Sequence, residues 1–212
     1  MGSLTKGPVP VKLPRHTPPW RWLFSAALLL LVTLYMAPAA RAVTLADVQV
    51  PDTLQVDGKL LVLNGAGLRT LTFLRVKIYV AALYLPKRSS DARAILASPG
   101  PKVVSLHYIH SGSKEQVQGR YREGEKDNCG TGGCDAALQG DFEKLVASAP
   151  PVREGDITNF VVTERGFRVL FNGRPVVSFT DSRLGNMMIE GFIGAHPPSE
   201  DLRAALLGVP MN

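Results

Sequence analysis

The sequence predicts an α+β domain built on a largely antiparallel sheet. Three observations carry this. Runs of β-formers are joined by two-residue turn pairs, Asp57-Gly58 and Asn172-Gly173, which suit the positive φ angles of tight hairpins. The strand patterns repeat every second residue. Helical patterns come in blocks between groups of strands, so the regular βα alternation of a parallel sheet is absent.

Each element follows in order. Val48 to Asn64 reads as a hairpin, with Thr53-Leu-Gln-Val and Lys59-Leu-Leu-Val-Leu on either side of Asp57-Gly58. Phe73 to Leu85 reads as a strand. Leu74, Val76, Ile78, Val80, Ala82 and Tyr84 share one face by period 2, and Arg75, Lys77, Tyr79, Ala81 and Leu83 share the other. Ser89 to Ser98 is expected to be helical, stopping before Pro99-Gly100. Lys102 to Ile109 is a strand. Ser113-Lys-Glu-Gln116 has capping-box spacing and predicts a helix to about Lys126. Asp135 to Ala147 places Leu138, Phe142, Leu145 and Val146 on one helical side, and Pro150-Pro151 follows. Ile157 to Thr163, Phe167 to Phe171 and Arg174 to Phe179 are strands. Ser182 to Ile193 and Ser199 to Leu207 are helices.

The first 42 residues have a different character. Lys6, Lys12, Arg15 and Arg21 precede an apolar run from Leu23 to Met36, and small residues Ala37-Pro-Ala-Ala-Arg-Ala42 come next. That is the residue order of a secretory signal peptide, cleaved after Ala42. The competing reading is an uncleaved anchor, because Trp22 to Ala40 is 19 residues without charge, near the ~20 a spanning helix needs. The expected organisation is therefore a leader over 1–42 and one domain over 43–212, periplasmic or secreted, with membrane association only if the leader stays. Of the 24 basic residues, five lie in the leader, together with none of the 18 acidic ones. The remainder is nearly neutral, with 19 basic against 18 acidic residues, and offers no basic face for nucleic acid.

Cys129 and Cys134 are the only cysteines, in Asn128-Cys-Gly-Thr-Gly-Gly-Cys134. In an exported chain they read as a local disulfide. Their C-x4-C spacing, without a thioredoxin-like frame, argues against redox catalysis. Gly65-Ala-Gly67 opens a strand where a dinucleotide fingerprint opens a helix, so nucleotide binding is not expected and a glycine turn or bulge is. His107 and His110 are three apart on a strand and point to opposite faces, and His196 lacks a neighbouring ligand, so no metal is expected. No cofactor is called for, and there is no G-x-S-x-G serine elbow. Arg69 is left open by its residues alone. It is either a surface arginine paired to an acid or an anion anchor at the mouth of a cleft, a task suited to a planar guanidinium.

At these residues the chain resembles the chalcone isomerase family, and most closely its bacterial exported chalcone-isomerase-like branch. The resemblance rests on Leu63-Asn-Gly-Ala-Gly-Leu-Arg-Thr70, Val76-Lys-Ile-Tyr-Val-Ala-Ala-Leu-Tyr-Leu85 and Ile189-Glu-Gly-Phe-Ile-Gly194, and it spans about residues 47 to 208. It implies an open-faced β-sandwich, a long antiparallel sheet covered by a helical layer with a ligand cleft between them. It also implies either isomerisation of a chalcone to a flavanone or binding of a fatty acid. Arg69 matches the family arginine that neutralises the ligand anion. The position of the catalytic threonine falls on Tyr79, those of the tyrosine and asparagine near Glu115 and Arg122, and the specificity pair on Gly191 and Phe192. With only the arginine kept, the resemblance implies a binder of a small apolar anionic ligand, a fatty acid or a phenolic acid, held by Arg69, Tyr79, Gly191 and Phe192. The alternatives are an intramolecular lyase using Arg69 and a structural or partner-binding envelope protein.

Overall fold

The computed structural model divides the chain into two units, residues 1–39 and 40–212. It describes Gly2 and residues 42–71, 76–129 and 134–209. Residue 1 and residues 3–41, where most of the expected signal peptide or anchor falls, lie outside the described residues, as do 72–75, 130–133 and 210–212.

The first hairpin pairs β1 (Ala42–Leu45) with β2 (Val48–Pro51). Its turn residues Ala46 and Asp47 have φ of 48° and 68°, a hairpin the sequence reading did not separate from the next one. Then come β3 (Thr53–Val56), β4 (Lys59–Leu71), β5 (Val76–Leu85), helix α1 (Ala92–Ala97), β6 (Lys102–Tyr108), α2 (Lys114–Cys129), α3 (Ala136–Ser148), β7 (Ile157–Thr163), β8 (Gly166–Phe171), β9 (Arg174–Phe179), α4 (Arg183–Ile193) and α5 (Glu200–Leu206). Strands β3 to β9 form one seven-stranded sheet in sequence order, antiparallel throughout. Asp57-Gly58 and Asn172-Gly173 have positive φ at both residues, 49° and 77° in each pair, as two-residue hairpins of this twist require.

Both faces of the sheet are buried. One carries Ala81, Leu83, Val104, Leu106, Phe160 and Val169 against the helices, which contribute Phe142, Leu145, Ile189, Ile193 and Leu202. The other carries Val80, Ala82, Tyr84, Val103 and Val161, covered by Val50, Val56, Leu61 and Leu63. The sheet curls far enough for the β3–β4 turn to reach β8, where Arg168 grips Asp57 with bonds of 3.0 and 2.7 Å. Burial on two sides explains β6, in which every residue is buried. Alternation is lost where neither face meets water.

Helix starts are capped as the residue types predict. Asp91, Asp135 and Ser199 accept first-turn N–H groups at α1, α3 and α5. Among the described residues no helix is long and apolar enough to cross a membrane.

Candidate functional site

The position of Arg69 begins with Asn64. Along β4 the pairing passes from Leu63↔Tyr84 to Gly65↔Leu83. That is two steps on β4 for one on β5, so Asn64 is the extra residue of a β-bulge. A bulge of one residue moves everything after it to the opposite face. Leu61 and Leu63 therefore sit in the core away from the helices, while Gly65, Gly67 and Arg69 come round to the helical side. The bulge is pinned by the Asn64 side chain. Its amide donates to the carbonyls of Ser89 (3.0 Å) and Leu206 (2.8 Å), and its oxygen accepts from the Ser89 N–H (2.7 Å).

Of the turn or bulge expected at these glycines, a bulge adjoins Gly65 and no turn forms, and the glycines have a further task. The strand runs straight through Gly65 and Gly67, and α5 lies on them. A Cβ at Gly65 would stand 2.0 Å from the Ala205 carbonyl oxygen, and one at Gly67 2.8 Å from the Ala205 Cβ. They are a docking surface for a helix, which accounts for glycine spacing without any phosphate loop.

Arg69 lies directly opposite Tyr79 on β5, and Tyr79 directly opposite Tyr108 on β6. The three form a row across the sheet. The two rings meet edge to face at 6.1 Å. Arg69 donates through Nη1 to the carbonyl of Pro198, in the connection between α4 and α5. Among the described residues no carboxylate pairs with it.

Burial pushes the Tyr79 hydroxyl well above its ordinary range, and the Arg69 cation offsets only part of that. Burial likewise raises Tyr108, against which a hydrogen bond with Thr158 works in the other direction. Tyr121 on α2 is raised by burial and then by Tyr108. All three phenols are neutral at physiological pH, so they are hydrogen-bond donors and not bases. A guanidinium beside a neutral phenol on a half-buried surface is suited to an oxyanion. Tyr79 packs against the helix-side core that contains Tyr121, Phe160 and Phe192. Tyr121 packs edge to face on Phe160 at 6.0 Å, and Phe192 lies 6.3 Å from the same ring.

The residues anticipated from sequence are distributed as follows. Arg69 and Tyr79 are neighbours. Phe192 is buried in the same helix-side core as Tyr108, and Tyr79 packs against that core. Gly191 precedes Phe192 on α4 and is half-buried. Glu115 is exposed and accepts the Ser113 hydroxyl at 2.8 Å, and Arg122 pairs with Glu143 at 3.5 Å with both side chains half exposed. Neither belongs to the row. Lys77 departs from its expected face. Arg69 pairs with Tyr79 but Thr70 with Lys77, so Ile78 is an extra residue and Lys77 is turned out to solvent.

Sequence reading missed Tyr108, Tyr121 and Asn64. Tyr108 follows Val104 and Leu106 at period 2, a signal present in the strand that was left unused. The glycines Gly65 and Gly67 signal a bulge without marking Asn64 as its extra residue.

The expected disulfide is formed between Cys129, which ends α2, and Cys134, with Cα atoms 5.1 Å apart. Both sulfurs lie within 4.0 Å of the Met187 Sδ on α4, so the bond joins the helical layer at a third point. His107 is buried and shares a hydrogen bond of 3.1 Å with the Ser105 hydroxyl, while His110 and His196 are exposed.

Comparison with known proteins agrees with this architecture. Residues 42–208 match the family described as chalcone isomerase-like. No curated protein matches the chain. Among solved structures, the fatty-acid binding protein AtFAP1 of Arabidopsis thaliana superposes with a TM-score of 0.65 over 79% of this chain and 96% of that one, at 13% identity. At that identity the likeness is one of fold.

Proposed function

The chain belongs to the chalcone isomerase-like family, and from that premise we propose that it binds a small apolar molecule with one anionic end, a fatty acid or a phenolic acid, between the sheet and the helices. One observation carries the reading: the Asn64 bulge sets Arg69 beside the neutral Tyr79 phenol, with a backbone carbonyl in place of a carboxylate partner. The ligand anion takes the position of the Pro198 carbonyl on Arg69, and the apolar body lies against Tyr108, Phe160 and Phe192. The name of the Arabidopsis fatty-acid binding protein supports this ligand class.

The protein acts after export. The support is the basic, apolar and small-residue order of 1–42 and the disulfide, a bond favoured outside the cytosol. The intramolecular lyase reading keeps one specific support, the neutral Tyr79 phenol next to Arg69, which would face a developing enolate.

The deciding experiment is native mass spectrometry of protein purified from its own compartment, followed by titration with palmitate and with a hydroxycinnamate. Arg69→Ala is expected to weaken binding ten- to a hundred-fold, since a charge-assisted hydrogen bond contributes about 1.5–3 kcal/mol. Arg69→Lys should restore little, because an ammonium lacks the fork of donors. Equal binding by wild type and Arg69→Ala would refute the anchor. Turnover of a chalcone that Arg69→Ala abolishes would favour the lyase.

A further inference from the structure

A groove lies at the other end of the same strands. It spans about 350 Å³ between the ends of β5 and α1 and the start of β6. Leu85 is six residues along β5 from Tyr79, roughly 20 Å at about 3.3 Å per residue, so the groove is separate from the Arg69 row. Leu85, Ile95 and Pro101 supply apolar wall. Lys87, Arg88 and Lys102 supply charge, and no acidic residue lines it.

Lys102 is the unusual member. It is 2% exposed, and its ammonium donates to the carbonyls of Ile95 (3.0 Å), Leu96 (3.1 Å) and Ser98 (2.7 Å) at the end of α1. These carbonyls satisfy its three hydrogens and, as the negative end of α1, offset part of its charge without any carboxylate. Among the described residues no carboxylate pairs with it. Buried charges are ordinarily paired. Arg88 donates through Nε to the Leu63 carbonyl at 2.9 Å, and its terminal nitrogens have no partner among the described residues. The recess thus has three cations, an apolar wall and no counterion.

We propose that this groove is a second binding site, for a short-chain organic carboxylate whose anionic group meets Arg88 and Lys87 above Lys102 and whose chain lies on Ile95 and Pro101. At about 30 Å³ for a water-sized atom, the volume admits on the order of ten non-hydrogen atoms, the size of hexanoate.

The test is an NMR titration of the isotope-labelled, processed protein carrying Arg69→Ala, which silences the first site. Hexanoate should shift the amides of residues 94–98 and Gly100 saturably, and hexanol should not. Adding Arg88→Ala, an exposed position that leaves the core intact, should weaken hexanoate about ten-fold. Lys102→Met should weaken it as well where a melting curve shows the variant folded. Several results would overturn the proposal: no saturable shift, an equal response to hexanol, an unchanged affinity in Arg88→Ala, or saturation by inorganic phosphate with none by hexanoate.

Discussion

Asn64 is a single residue that fixes what three strands present. Its side chain makes three hydrogen bonds to Ser89 and Leu206 from a buried position. Asn64→Ala strands the Ser89 N–H and the carbonyls of Ser89 and Leu206, at about 1–3 kcal/mol for each that stays out of water, and releases the bulge that turns Arg69 toward the helices. The expected outcome is a lower urea midpoint together with lost ligand binding under conditions where the variant is still folded. Asn64→Asp keeps the acceptor for Ser89 but loses both donations, and should recover little.

His107 makes a pH prediction with a defined sign. Burial lowers its pKa from the ordinary 6.5, so the unfolded chain takes up the proton more readily than the folded one. Stability from this group is then full above about 6.5 and falls as the pH drops toward the folded value. Urea unfolding measured from pH 7 downward should show that decline, and His107→Gln should flatten it. A variant with the same slope as wild type would assign the decline to other groups.

At the scale of elements, the contact of α5 with β4 depends on missing side chains. Gly65→Ala meets a backbone carbonyl at 2.0 Å, whereas Gly67→Ala meets the Ala205 Cβ and the end of Leu202 at 2.8 and 2.9 Å. A backbone obstacle cannot rotate away. Gly65→Ala should therefore be the more damaging, above the 1–3 kcal/mol typical of overpacking, and thermal melts of the two variants would rank them. The link from α2 to α3 is a weaker constraint. A bond closing a loop of four residues removes about 2 kcal/mol of unfolded-state entropy. Reduction should lower the melting temperature by about 4–8 °C at this chain size, with ligand binding kept.

For the whole molecule, a sheet buried on both faces joins two cores through the same strands, so loosening either side affects the other. Leu145, fully buried in the helix-side core, should cost about 2–5 kcal/mol on truncation to alanine. One cooperative unfolding transition is expected, seen alike by tyrosine fluorescence and far-ultraviolet circular dichroism. Export is the remaining prediction at this scale. N-terminal sequencing of protein from the periplasmic or secreted fraction should begin at Val43. Recovery only from membranes with residues 1–42 attached would replace the signal peptide with an anchor.

By itself the sequence determined the α+β class, both two-residue hairpins, the helical positions to within a few residues and the disulfide partners. These are properties of local patterns: periodicity, turn chemistry, capping residues and spacing. It left undecided which face of the sheet Arg69 joins. Period 2 assigns faces only while the register is unbroken, and two bulges, at Asn64 and Ile78, reset it. Tertiary structure alone decided the row Arg69, Tyr79 and Tyr108, because it is assembled from three strands whose partners lie 10 and 29 residues apart in the chain. It also decided why Gly65 and Gly67 are glycines, since the helix that lies on them comes from the far end of the sequence. The burial of Lys102 without a carboxylate partner has the same origin. On a strand it reads as a surface lysine, and only the folding of α1 over it takes it out of water.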